Sequence, residues 1–344
     1  MERLTAVFGR SRWVSLGGVD VHYLDFSGTP GAEVSDDPAI DRPTVVCVHG
    51  LGGSYANWLA LGPLLRAGYR VLALDLAGFG LTRVQGRPSL RGWSGTSTSI
   101  AANTGLVTRF VAEVVGGPAI WVGNSMGALI TALAAAKRPD LVRAAALIAM
   151  PWLPRRGQHA DPAITAMFTA YMTPGLGTAL VAGRRRLVPA ETLARESLAA
   201  CCADVSRVPD DVVCAHVELT RERSGYPEVV PQFLHAARST VSTLGRRQWL
   251  DAAFGQIEAP VLMLHGEQDR FVPIAAAREL AAAQRSWTFV EREGLGHTPQ
   301  LEDAAWTADQ LTGWMRGRVP APDAVPGRRP ETGASITSSK QTIT

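Results

Sequence analysis

Ser125 stands between two glycines, each two residues away, in Ala119-Ile120-Trp121-Val122-Gly123-Asn124-Ser125-Met126-Gly127. The four apolar residues before Gly123 suit a buried strand, and Ser125 to Lys137 has the alanine-rich composition of a helix that ends before Pro139. A strand that enters a helix through G-x-S-x-G doubles back sharply, so a side chain at either flanking glycine would meet the opposite arm of the turn. The serine hydroxyl is then presented at the carboxyl end of a strand, beside the backbone N–H of Met126 and the positive end of a helix. A hydroxyl so placed can serve as a nucleophile for acyl transfer, given a base to take its proton and donors to hold an oxyanion.

Three further stretches can supply those groups, and each follows an apolar run. His49-Gly50-Leu51-Gly52-Gly53 ends the run Thr44–Val48, and its glycines let the backbone approach a substrate oxygen closely. The N–H of Leu51 would join that of Met126 as an oxyanion hole. The same glycines suit a phosphate cradle, but a dinucleotide turn needs a third glycine where Tyr55 stands. Asp269, in Gly266-Glu267-Gln268-Asp269-Arg270-Phe271-Val272-Pro273, can hold an imidazole in one tautomer and stabilise its cation. Glu267 is the alternative carboxylate; Asp269 is preferred because it closes the turn before a helix starting at Pro273. His297 lies in the glycine-flexible loop Gly294-Leu295-Gly296-His297-Thr298-Pro299. His49 and His265 also end apolar runs, and either could be a buried, hydrogen-bonded imidazole; His22, His159, His216 and His235 are more simply read as structural.

Positioning these groups takes alternating strands and helices. Arg12 to Phe26 reads as a hairpin about Gly17-Gly18, followed by a polar loop over Gly28 to Pro43. Strands are expected at Thr44–Val48, Arg70–Leu74, Ala119–Val122 and Arg143–Met150, with helices over Ala56–Ala67, Ser97–Val115 and Ser125–Lys137 and a polar loop about Trp93. From Met150 to Ala259 strand signals stop, and Ala163–Met172, Thr178–Leu187, Ala190–Ala203, Asp210–Arg223 and Pro227–Phe254 read as helices. Alternation then resumes with strands at Pro260–His265 and Ser286–Glu291 and helices at Pro273–Gln284 and Gln300–Arg316. Such alternation implies a mostly parallel sheet covered on both faces, with its ligand site outside the carboxyl ends of the strands.

The chain order Ser125, Asp269, His297 is that of the α/β-hydrolase fold family, and the span from about Arg12 to Arg316 resembles that family. Asp75-Leu76-Ala77-Gly78-Phe79-Gly80-Leu81-Thr82 is similar to the family's D-x-x-G-x-G-x-[ST] turn. The resemblance implies an α/β fold with a mostly parallel eight-stranded sheet, helices on both faces and an inserted helical cap. On this reading the core comprises residues 1–150 and 257–316, and residues 151–256 form the cap. It further implies a catalytic triad of Ser125, Asp269 and His297, an oxyanion hole from Leu51 and Met126, and no metal or organic cofactor. Trp152, Met167, Phe168 and Tyr171, with Met172 and Phe233, are expected either to line an apolar acyl pocket or to form the cap's own core.

Within the family the chain resembles lidded, cofactor-free members: simple esterases, non-haem haloperoxidases and the C–C hydrolases of aromatic ring cleavage. The Gly-Asn-Ser-Met-Gly elbow is similar to that of the C–C hydrolases. Their usual proline after the oxyanion glycines and tryptophan after the histidine are missing, Thr298 standing in the latter place. The expected function is hydrolysis of a carboxylic ester of a small, largely apolar molecule through an acyl-enzyme. The alternatives are C–C bond hydrolysis, acyl transfer to an alcohol or thiol, and a non-catalytic ligand receptor.

Composition agrees with an enzyme for small molecules. A formal charge of +3 over 344 residues, carried almost wholly by arginine with Lys only at Lys137 and Lys340, gives no case for a nucleic-acid partner. No apolar run of about 18 residues suggests a membrane span, and Met1 to Arg12 does not read as a secretory signal. Cys47, Cys201, Cys202 and Cys214 lack metal-ligand spacing and suit a reduced, cytoplasmic protein. Gly317 to Thr344, rich in Pro, Gly, Ser, Thr and Arg, reads as a disordered tail.

Overall fold

A computed structural model describes residues 7–27, 42–89, 92–95, 97–154 and 161–319. Its strands are β1 (Arg10–Leu16), β2 (Val19–Asp25), β3 (Thr44–Val48), β4 (Arg70–Leu74), β5 (Gly86–Ser89), β6 (Gly92–Gly95), β7 (Ala119–Asn124), β8 (Val142–Ile148), β9 (Val261–Gly266) and β10 (Thr288–Arg292). Eight of them form one sheet in the order β1-β2-β4-β3-β7-β8-β9-β10, antiparallel only at β1–β2 and β2–β4. The fold is the mostly parallel α/β sheet that the resemblance implied. Gly17 and Gly18 make the first hairpin turn with φ of 57° and 83°, a left-handed conformation that favours glycine.

The helices are α1 (Gly62–Leu65), α2 (Ile100–Phe110), α3 (Met126–Lys137), α4 (Pro162–Met172), α5 (Leu176–Leu187), α6 (Ala190–Cys201), α7 (Asp210–Arg223), α8 (Val229–Leu244), α9 (Arg247–Phe254), α10 (Ile274–Ala283), α11 (Pro299–Glu302) and α12 (Ala304–Arg318). Successive strand side chains point to opposite faces, so one apolar strand feeds two cores. Val46, Val48, Leu72, Leu74 and Trp121 face the layer that holds α2, α3, α9 and α10. Val45, Cys47, Val71, Ala73 and Val122 face the layer that holds α1 and α12, together with α6 and α7.

Local chemistry explains where the elements depart from expectation. The helix expected over Ala56–Ala67 is a 3₁₀ turn at Tyr55–Trp58 and the one-turn α1, because Pro63 can sit only in the first turn of a helix. The loop about Trp93 is instead the two-stranded β5–β6 hairpin. Pro227–Phe254 splits into α8 and α9 at Gly245, and the last helix restarts at Asp303, which caps α12 by accepting from the Trp306 N–H at 3.0 Å. That helix includes Gly317 and Arg318, which had been assigned to the tail. Residues 320–344 of the tail, and most of the Gly28 to Pro43 loop, lie outside the described residues. Leu250 and Phe254 of α9 pack in the core layer on the sheet. Among the described residues no single helix is long and apolar enough to cross a membrane, although α4 and α5 would be together were they not bent by 110°.

The turn from β7 into α3 is a tight junction. Ser125 has φ 54° and ψ −119°, a conformation rare for a residue with a side chain. A Cβ on Gly123 would lie 2.3 Å from the Gly127 carbonyl oxygen, and one on Gly127 would lie 2.0 Å from that of Val48. Both glycines are therefore obligatory. Two imidazoles, His49 after β3 and His216 on α7, are each pushed down to about 4 by loss of solvation.

Two outcomes are expected. Gly127→Ala should lower unfolding free energy by roughly 2–4 kcal/mol, since backbone on both sides of the turn must move, and urea denaturation will measure it. Because the unfolded chain binds protons that His49 and His216 refuse in the fold, stability should fall as pH drops from about 6.5 toward 4. A urea midpoint that stays flat across that window would show that these imidazoles titrate normally.

Candidate active site

Strand order reverses direction at β3, whose neighbours are β4 on one side and β7 on the other, and a crevice opens beyond such a switch point. The turn after β3 and the turn after β7 meet there. A Cβ on Gly50 would be 3.1 Å from that of Ser125, so the glycine-rich turn and the serine are in van der Waals reach. Gly50 also accepts from the Gly53 N–H at 3.1 Å, which closes the turn around Leu51. His49 fixes the base of this turn: its Nδ1–H donates to the Gly50 carbonyl at 2.7 Å and its Nε2 accepts from the Leu76 N–H at 3.0 Å. Acceptance at Nε2 requires a neutral ring, which its lowered pKa supplies. Met126 opens α3 with its side chain in the core, and its N–H is among those a first turn leaves without an intrahelical partner.

Asp269 and His297 follow β9 and β10 and meet beside the same crevice. His297 Nδ1–H donates to Asp269 Oδ2 at 2.7 Å, leaving Nε2 as the ring's acceptor. Asp269 Oδ1 accepts from the N–H groups of Phe271 and Val272 at 2.8 and 2.9 Å, which holds the carboxylate still. Burial by itself would push this carboxyl up, but the facing His297 and these donors bring it below the usual carboxylate range. Glu267 is more exposed and lies 3.8 Å from Arg278, so the structure brings Asp269 and not Glu267 to the imidazole. His265 flanks the same carboxylate, its Nε2 3.5 Å from Asp269 Oδ2, while its Nε2–H donates to the Val272 carbonyl at 2.9 Å.

The loop that carries His297 is pinned from three directions. Asn124 Nδ2 donates to the His297 carbonyl at 3.0 Å, and the His297 N–H donates to the Cys201 carbonyl at 2.6 Å. The buried Glu302 carboxylate accepts from Gly296, Ala203 and Asp204 N–H groups at 2.9, 3.1 and 2.7 Å, joining the histidine loop to the end of α6. The Phe271 ring leans on the imidazole with centroids 4.8 Å apart. Asn124, Phe271, Cys201 and Glu302 escaped sequence reasoning because each acts on a partner distant in the chain. Only Asn124, inside the elbow itself, stood where a signal could have been sought.

Ser125 and His297 line one cavity of about 560 Å³, together with Leu51, Met167, Phe168 and Tyr171. Among the described residues no hydrogen bond ties Ser125 to the imidazole; in unliganded enzymes such bonds are commonly long and tighten on binding. Tyr171 packs edge-on against Phe168 and Phe233, with centroids 5.9 and 5.3 Å away, so these three rings form one wall. Trp152 is a correction: it is 4% exposed, packs on Phe254 at 6.0 Å and lies under Arg247, in the core rather than the cavity. Met172 also misses the cavity, because it lies one residue beyond the α4 face that Met167, Phe168 and Tyr171 share. Cys201 does line it, but burial pushes its thiol up to about 12, so it is no thiolate nucleophile. Among the described residues no three His, Cys, Asp or Glu side chains are grouped to hold a metal ion.

The sequence profile of the alpha/beta hydrolase family matches residues 45–310. The 2-hydroxy-6-oxononadienedioate/2-hydroxy-6-oxononatrienedioate hydrolase of Paraburkholderia xenovorans is 27% identical over 292 residues, 84% of this chain and 88% of that one. The pimeloyl-[acyl-carrier protein] methyl ester esterase of Aromatoleum aromaticum is 28% identical, over 77% of this chain and 96% of that one. A shorter match, 37% identical over 138 residues, spans only 31% of the dihydrolipoyllysine-residue acetyltransferase component of the acetoin cleaving system of Cupriavidus necator. Among solved structures, a putative lipase from Acinetobacter baumannii superposes with a TM-score of 0.66 at 21% identity, covering 92% of this chain and 93% of that one. The chain thus belongs to the alpha/beta hydrolase family.

Proposed function

We propose that this protein is a serine hydrolase that cleaves a carboxylic ester of a small molecule through an acyl-enzyme. The observation that carries the reading is the strained Ser125, which shares one cavity with an imidazole bonded to a buried carboxylate at 2.7 Å. Ser125 Oγ attacks the ester carbonyl while His297 Nε2 takes its proton, and Asp269 stabilises the imidazolium that results. The Leu51 and Met126 N–H groups hold the developing oxyanion. His297 then returns its proton to the leaving alcohol, and a water activated by the same nitrogen releases the acid. The helices α4 to α8 act as a cap whose aromatic wall receives the apolar part of the substrate. Four free thiols suit a reducing, cytoplasmic setting.

A second reading, hydrolysis of a C–C bond next to a carbonyl, is favoured by the likeness to the Paraburkholderia hydrolase over most of both chains. It would use the same serine and histidine.

A fluorophosphonate probe read by intact mass should add once to the wild type and not to Ser125→Ala. Ser125→Ala should lower kcat/KM for p-nitrophenyl esters by about 10⁴–10⁶, and Asp269→Asn by about 10²–10⁴. A folded wild type that neither labels nor turns over esters would remove the hydrolase reading in favour of a ligand receptor. Turnover confined to a vinylogous diketone, followed by loss of its chromophore, would put C–C hydrolysis first.

A further inference from the structure

Beside the catalytic cavity lies a second recess of about 250 Å³ that shares Gly52, Tyr171, Leu180 and Phe233 with it. Its remaining wall brings together Arg185 of α5 and Arg223 of α7, with Arg184 at the boundary between the two spaces. Arg184 is neutralised by Glu196. The other two are not. Arg223 donates to the carbonyls of Gly78 and Gly80 in the turn after β4, the former at 2.7 Å, and Arg185 donates to the Arg223 carbonyl at 2.7 Å. Among the described residues neither guanidinium has a carboxylate within ion-pair distance, whereas Arg83, Arg221, Arg247 and Arg278 all do. The carboxylates that act on Arg223 through space are otherwise engaged. Asp75 accepts from His22 and from the Tyr55 and Leu81 N–H groups, and Glu228 pairs with Arg83.

Two half-buried cations on one wall cost desolvation and repel each other, and the carbonyl acceptors with the through-space pull of Asp75 and Glu228 on Arg223 offset that cost only in part. Burial lowers both, Arg223 to about 10, with Arg185 contributing to the latter shift by repulsion. A guanidinium pair is geometrically suited to the oxygens of a carboxylate or phosphate. Between this pair and Ser125 the shared lining includes Tyr171, Leu180, Leu193 and Phe233, which suit methylene groups, beside the polar Arg184, Ser197 and His216.

We propose that the Arg185–Arg223 recess binds an anionic group, a carboxylate or a phosphate, at the far end of an otherwise apolar substrate. The proposal rests on Ser125 being the nucleophile, and it adds to a largely apolar substrate a charge several atoms from the scissile ester. The anion can be carried by the acyl part or by the alcohol part, and the two are separable. Monomethyl suberate against dimethyl suberate places a carboxylate on the acyl side, and 6-phosphohexyl acetate against hexyl acetate places a phosphate on the alcohol side.

In one of these pairs wild type should prefer the charged ester in kcat/KM by about tenfold or more, and the pair that responds identifies the side. Arg185→Gln keeps a donor for the Arg223 carbonyl and should collapse that ratio, while Arg185→Glu should invert it; matching thermal melts will show that both variants fold. Calorimetry with suberate and with hexyl phosphate, which carry no ester, tests binding without turnover. At least one should bind wild type about tenfold more tightly than Arg185→Gln. Neutral esters preferred or equalled in both pairs, with ratios unmoved by Arg185→Gln and no anion binding, would overturn the recess while leaving the hydrolase intact. Anion binding that weakens in Arg185→Gln, with no ester turned over, would leave the recess standing and remove the serine mechanism.

Discussion

The left-handed backbone at Ser125 is the constraint on which the rest of the structure depends. It is tolerable only because Gly123 and Gly127 let β7, α3 and the end of β3 come within contact of one another. That crowding places the glycine-rich turn after β3 against the serine. The alanines of α3 serve the same closeness, since the helix is buried on nearly every side between sheet and neighbours. Strain at one residue is held in place by an apolar sheet whose two faces are both covered.

The second dependence is on how the histidine loop is held. Asn124 links it to the elbow, Asp269 to the turn after β9, and Glu302 to the end of α6, so three separate parts of the chain converge on His297. The Cys201 carbonyl adds a bond from α6. The proposed cap and the proposed base are therefore one mechanical unit, and displacing α6 would disturb the imidazole as well as open the cavity.

A serine, a histidine and an aspartate in sequence do not by themselves make a site. His22 Nδ1 lies 2.7 Å from Asp75 and its Nε2 lies 2.8 Å from Ser11, a chain of contacts as close as that between His297 and Asp269. Yet Ser11 lies in the ordinary extended backbone of β1, and this His22–Asp75 pair ties the first hairpin to the turn after β4. What sets Ser125 apart is the strained turn, the donors around it and the cavity it faces.

Much of this was legible from residue order alone. Period-two and continuous apolar runs marked the strands of the parallel sheet, because a strand buried on both faces must be apolar throughout, and glycine spacing marked the elbow, because backbone contact excludes a side chain there. Asp269 and His297 stand just beyond strands in the sequence, and the fold brings their side chains within 2.7 Å. The sequence did not show that Pro63 would cut a helix to one turn, that Trp152 would fall on Phe254, or that Met172 would turn away from the cavity, since each depends on how separate elements pack. Nor could it bring Arg185 and Arg223, 38 residues apart on different helices, to one wall. Local pattern determines which residues can form an element and present a reactive group, whereas burial, partners and the sharing of a cavity are long-range outcomes that only the packed fold decides.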